Sequence, residues 1–260
     1  MEKVTKNGIS FVVETPQDII NKILNDSYTY KIGIYGRAGS GKSRFASTHP
    51  GLKGVLDADN GGFVYQENFE LVSIVEPFKG NVDAWRQCES VLEYFGTKES
   101  IKCIIIDSAT AVCTTLMFEI QRLNGTLGKL PCQAEYGKLR NATIEFIHKS
   151  FSYHKDVIFL FHEATEKDEL SGRVWCNPMI IGKLSGEIGR FFDEFYHMEA
   201  VQPSVGEIKY QILTKSTQMY SCKSRIDSKA PGVIDTIITT PSLDILFKAL
   251  KQKVKTLYSK

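Results

Sequence analysis

The chain has 260 residues, a formal net charge of +2, and 42% hydrophobic and 24% charged residues. That length holds one large α/β domain or two small ones, and that composition excludes a disordered chain. A net charge so close to zero excludes a globally basic body, so any contact with a polyanion must come from local patches.

No apolar run reaches the roughly eighteen residues of a membrane span, and the opening MEKVTKNGIS lacks the apolar core of a signal peptide. Cys88, Cys103, Cys113, Cys132, Cys176 and Cys222 form no C-x-x-C pair and have no close histidine. Neither a zinc site nor a disulfide framework is expected, and the expected compartment is the cytoplasm.

In chain order, residues 1–27 read as a lead-in. A short strand, ISFVVE, precedes a helix in TPQDIINKIL, where Thr15 caps, Pro16 takes the first helical position, and Ile19, Ile20, Ile23 and Leu24 recur at helical spacing. YKIGIY reads as a buried strand running into a helix at SGKSRFAST. KGVLDADNGG and FELVSIVE are further strands, and Val82, Trp85, Cys88, Val91 and Leu92 mark a helix face. KCIIIDS is the most apolar strand. Helices follow around ATAVCTTLMFEIQRL and QAEYGKLRNATIEFIHKSF, then a second apolar strand, KDVIFLFHE. DEFYHMEAV, EIKYQILTK and TQMYSCKSR read as closing strands, and a basic helical tail ends the chain. Unbroken apolar strands alternating with helices predict an α/β fold: a mainly parallel sheet covered on both faces, with an antiparallel extension at one edge.

The run Gly36-Arg37-Ala38-Gly39-Ser40-Gly41-Lys42-Ser43 fits G-x-x-x-x-G-K-[ST] without mismatch, between a strand and a helix. Glycines let the backbone wrap an anion with its N–H groups, and the helix start adds its positive end. Lys42 is expected to reach the β- and γ-phosphates, and Ser43 to ligate Mg²⁺. Asp107, closing CIIID, is the matching metal carboxylate. Asp59 in VLDADNGG is the candidate base for water attack, ahead of Asp57, and His162 in FLFHEATE is the candidate γ-phosphate sensor. An ordinary turn at Asp59 and a structural hydrogen bond at His162 are the bland alternatives.

These elements, in this order, resemble the RecA-like branch of P-loop ATPases. CIIIDSATAV is similar to the family's strand-Asp-Ser segment, and Asp59 falls where the family usually carries a catalytic Glu, one methylene longer. More narrowly, DSATAV, AEYGKLRN, VIFLFHEATEKDE, PMIIGKLSGEIGRFFDEFYHM and YSCKSR resemble compact bacteriophage RecA-like proteins of recombination and single-strand annealing, over about residues 28–227. The resemblance implies a RecA-like core at 28–227, which leaves the lead-in at 1–27, whose apolar helical pattern suggests an oligomerisation element, and a basic helical tail at 228–260. It also implies ATP with Mg²⁺, a homo-oligomeric ring or filament in the host cytoplasm, single-stranded DNA, and a single-stranded DNA-binding protein as a further partner.

Lys223-Ser224-Arg225 is similar to the K-x-R motif that such ATPases project into a neighbour's site, where cations neutralise charge built up in phosphoryl transfer. DNA contacts are expected from 164–190 through Lys167, Arg173, Trp175, Lys183 and Arg190, since cations track phosphates and an aromatic stacks on an unpaired base. A non-hydrolysing nucleotide-dependent scaffold is the alternative from another class. A small-molecule kinase ranks below it, because Arg173 and Arg190 are the only arginines available for a lid.

Overall fold

The computed structural model describes all residues except 1, 7–8, 14, 66, 75–82, 181, 230 and 259–260. Val82 lies outside the described residues. The lead-in forms a separate hairpin of β1 (Glu2–Lys6) and β2 (Ile9–Val13), followed by α1 (Pro16–Leu24). Thr15 and Asp18 close a reciprocal capping box at the start of α1.

The main sheet contains β3 (Lys31–Gly36), β4 (Lys53–Asp57), β5 (Phe69–Ser73), β6 (Cys103–Asp107), β7 (Asp156–Lys167), β8 (Val174–Pro178), β9 (Glu194–Ser204), β10 (Glu207–Leu213), β11 (Lys223–Ser224) and β12 (Ile237–Ile238). Its order is β12-β10-β9-β3-β7-β6-β4-β5, with β11 on β9 and β8 on β7. The strands from β9 to β5 are parallel, and β10 and β12 extend the β9 edge antiparallel.

The helices are α2 (Lys42–Ser47), α3 (Ala84–Thr97), α4 (Ala109–Asn124), α5 (Gln133–Ser152), α6 (Leu184–Glu187), α7 (Arg225–Lys229) and α8 (Leu243–Tyr258). The apolar run of β6 divides between two cores: Cys103 and Ile105 pack with α1, α2 and α8, whereas Ile104 and Ile106 pack with α3, α4 and α5. Strand side chains alternate, so a strand covered on both faces must be apolar at every position. The basic tail is tied down as α8, whose Leu243, Leu246, Leu250 and Val254 join Ile19, Ile20 and Ile23 of α1 in one core.

Residues 164–178 form a hairpin: β7 runs to Lys167 and turns back as β8, through Asp168 to Gly172, whose φ of 67° suits glycine. One local expectation is corrected. TQMYSCKSR is not a full strand. Ser216 and Thr217 bond to the backbone of Cys222 and Tyr220 there, competing with a ladder, and only Lys223 and Ser224 pair with β9.

Candidate active site

The parallel strands all deliver their C-terminal ends to one edge, where open α/β sheets bind ligands. Gly36 of β3 lies in register with His162 of β7, and Asp57 of β4 with Asp107 of β6. Four sequence-predicted residues therefore converge there: Lys42, Asp59, Asp107 and His162.

The phosphate loop is sterically determined. A Cβ at Gly36 would lie 2.1 Å from the Met198 carbonyl oxygen, and Gly39 and Gly41 hold φ of 77° and 93°. Lys42 is buried, and its ammonium donates to the carbonyls of Gly36 and Arg37, both at 2.8 Å, beside Ser40 Oγ. Burial lowers its pKa, opposed by the charges of Asp107, Asp59 and Glu163.

Asp107 is buried with the Ser43 hydroxyl nearby, which places the two expected metal ligands side by side. Burial raises its pKa, and the Ser43 and Tyr65 hydroxyls partly offset the rise. Its Oδ2 accepts a 2.8 Å hydrogen bond from the buried Tyr65 hydroxyl. A carboxylate and a hydroxyl together form the hard oxygen donor set that Mg²⁺ takes.

Asp59 sits two residues past β4, on a turn whose Gly61 and Gly62 N–H groups both donate to Asp57 at 3.1 Å. Asp57 is thereby spent on shaping the turn, and Asp59 is left for chemistry. The Asp59 carboxylate accepts from His162 Nε2 at 2.9 Å. Burial alone would raise its pKa, but that bond, the nearby Ser108 side chain and the His162 and Lys42 charges outweigh it and hold the carboxyl below its ordinary value. Both Asp59 and His162 stay about one-third exposed, so water and substrate can reach them.

The next residue on β7 faces elsewhere. Glu163 is buried against His197 Nε2 at 2.7 Å, and Arg37 of the phosphate loop reaches it at 3.4 Å. His197 stacks on Tyr220 with centroids 3.7 Å apart, and its Nδ1 has no partner among the described residues.

Lys223 and Arg225 are not brought to this edge. Arg225, the first residue of α7 and not part of a strand, donates to Asp193 at 2.7 Å and to the Arg190 carbonyl at 3.1 Å. Asp193 in turn bonds to the Lys31 carbonyl, at the start of β3. Gly36 closes that strand, about 16 Å away at ~3.3 Å per residue, so Arg225 cannot touch its own phosphate loop. Lys167, Arg173 and Trp175 share the β7–β8 hairpin, where Trp175 Nε1 donates to Glu166 at 3.1 Å. Lys183 and Arg190 lie exposed on the following turns.

A family profile described as an AAA domain matches residues 29–226, which include every element of this site. The chain belongs to that family. The AAA-domain match accounts for the phosphate loop, the Asp107 strand and the sheet edge that joins them as parts of a P-loop ATPase. Among solved structures, a KaiC-like protein from the hyperthermophilic archaeon Pyrococcus horikoshii OT3 is similar at 12% identity, with a TM-score of 0.41, over 72% of this chain and 79% of that one. No curated protein sequence matches. Among the described residues of this AAA-domain protein, no helix is long and apolar enough to cross a membrane.

Glu163 follows His162 on the strand that the sequence points to this edge, whereas Tyr65, Ser108 and His197 belong to the site but were not singled out from sequence. Ser108 directly follows Asp107, so adjacency was a usable signal for it. Tyr65 lies 42 residues from Asp107, with no pattern linking them.

Proposed function

We propose that this AAA-domain protein hydrolyses ATP within a homo-oligomer on single-stranded DNA, in recombination or annealing of the bacteriophage RecA-like kind. The observation that supports this best is the place of the Asp59–His162 pair at the root of the β7–β8 hairpin. One hairpin carries both a residue touching the water-activating carboxylate, His162 on β7, and, a few positions on, exposed Lys167 and Arg173, with the part-exposed Trp175 on β8. A strand bound at the hairpin would bear directly on His162, which couples binding to turnover.

The loop N–H groups and Lys42 hold the phosphates, Lys42 exchanging its carbonyl partners for phosphate oxygens. Asp59 takes a proton from the water whose oxygen attacks the γ-phosphorus as the bond to the β–γ bridging oxygen breaks. His162 holds Asp59 in place through its Nε2–H. Mg²⁺, which Ser43 and Asp107 would hold, supplies charge neutralisation to the phosphates. Arg225, out of reach of its own loop, serves the site of a second copy.

The test is ATPase rate with and without single-stranded DNA across a protein dilution series. DNA stimulation, with rate per subunit rising with concentration, supports the reading. Turnover indifferent to both removes the DNA role and the shared site together.

A further inference from the structure

Lys223 is half-buried, yet its ammonium makes no hydrogen bond or ion pair among the described residues. Burial lowers its pKa, with Arg225 adding to the effect and Asp193 and Glu194 opposing it from a distance. No carboxylate among the described residues pairs with this ammonium, so it stays available to an incoming anion.

The lysine lines a cavity of about 360 Å³ bounded by Asn177, Ser185, Arg190, Phe195 and Ser221. The acidic group on its wall, Glu187, is already neutralised, by Arg140 at 3.1 Å and Arg190 at 3.5 Å. The far wall is the segment that follows the β7–β8 hairpin, where Lys183 and Arg190 are exposed. The volume suits one phosphodiester with its sugar. A single strand can turn a phosphate into such a recess, whereas a stiff duplex cannot.

We propose that this cavity is a phosphate site for single-stranded nucleic acid, with Lys223 as its cation. The assignment rests on the single-strand reading above. It separates Lys223 from Arg225: the lysine holds the strand and the arginine serves a neighbour's nucleotide.

The experiment is binding of a labelled oligothymidylate, followed by anisotropy between about 50 and 200 mM salt with a non-hydrolysed ATP analogue present. Wild type, Lys223→Met and Lys223→Arg are compared, each checked by thermal melting. Lys223→Met, which keeps the apolar stem, is expected to lower the slope of log affinity against log salt by about 0.7, the value of one single-strand phosphate contact. Lys223→Arg is expected to retain the wild-type slope. Wild-type binding with an unchanged slope in Lys223→Met overturns the cavity assignment alone. So does a variant with intact oligonucleotide affinity but slowed turnover, which assigns the lysine to a second copy's triphosphate. An oligonucleotide that wild type does not bind overturns both this assignment and the single-strand reading.

Discussion

His162 Nε2 donates to the Asp59 carboxylate at 2.9 Å, across 103 residues of sequence. The bond fixes the ring orientation and keeps the carboxylate charged, which a base that accepts a proton from water requires. Asp59→Asn should cost about 10²–10⁴-fold in ATP turnover while nucleotide still binds. His162→Ala should cost less, because the base itself remains and the nearby Ser108 side chain still favours its charged form. Steady-state hydrolysis beside fluorescent-nucleotide titration separates the two effects. An Asp59→Asn enzyme of normal rate would remove the base assignment.

Tyr65 gives buried Asp107 one of its hydrogen bonds. Tyr65→Phe should leave that carboxylate underfilled at a cost of about 1–3 kcal/mol. The expected readout is a several-fold rise in the Mg²⁺ concentration for half-maximal turnover, with nucleotide affinity at saturating Mg²⁺ little changed. An unchanged Mg²⁺ profile would mean that Tyr65 only fills space.

Arg225 and Lys42 lie at opposite ends of β3, which permits a mixing experiment. Lys42→Ala and Arg225→Ala should each abolish turnover alone. Mixed in equal amounts and allowed to exchange, they should recover about a quarter of the wild-type rate, the share of interfaces pairing an intact loop with an intact finger. No recovery, despite demonstrated exchange, would count against a site shared between copies.

Glu194 anchors the segment that carries Arg225: its carboxylate accepts from Tyr196 Oη at 2.7 Å and from the Ile226 N–H at 3.2 Å. Burial raises its pKa to about 7, with those hydrogen bonds pulling the other way. The folded chain therefore holds a proton that the unfolded chain has released between its ordinary value of 4.5 and about 7. Stability should fall as pH rises through that window, by at most a few kcal/mol from this group. Glu194→Gln should flatten the melting temperature against pH there. A wild-type curve already flat would place the group outside this role.

Gly36 has no room for a side chain, since an added Cβ would meet backbone rather than a movable side chain. Gly36→Ala should destabilise by at least about 1–3 kcal/mol and disturb nucleotide binding. Gly61→Ala, with open space around its Cβ position, is the control and should change the melting temperature little.

The architecture was largely legible because its signals are local. Unbroken apolar strands, caps such as Thr15, and a phosphate loop between strand and helix are each set by neighbours in sequence. The β7–β8 hairpin was less legible. Its charged, glycine-containing tip reads as loop, and only the pairing of Thr165 with Cys176 and Glu166 with Trp175 makes it sheet. The tail shows the same limit: its lysines suggest a solvated helix, while its buried stripe needed α1 to pack against.

The sequence by itself determined the residue types of the site: Lys42 and Ser43 at the start of the loop helix, Asp107 at the end of β6, Asp59 two residues past β4 and His162 partway along β7. Only the tertiary structure decided which carboxylate is free, since Asp57 and Asp59 differ in sequence by a single intervening alanine. It also decided that Tyr65 serves Asp107, and that Arg225 faces away from its own nucleotide edge. Those outcomes depend on parallel register and on hydrogen bonds that close across the sheet, and such distances have no counterpart in spacing along the chain.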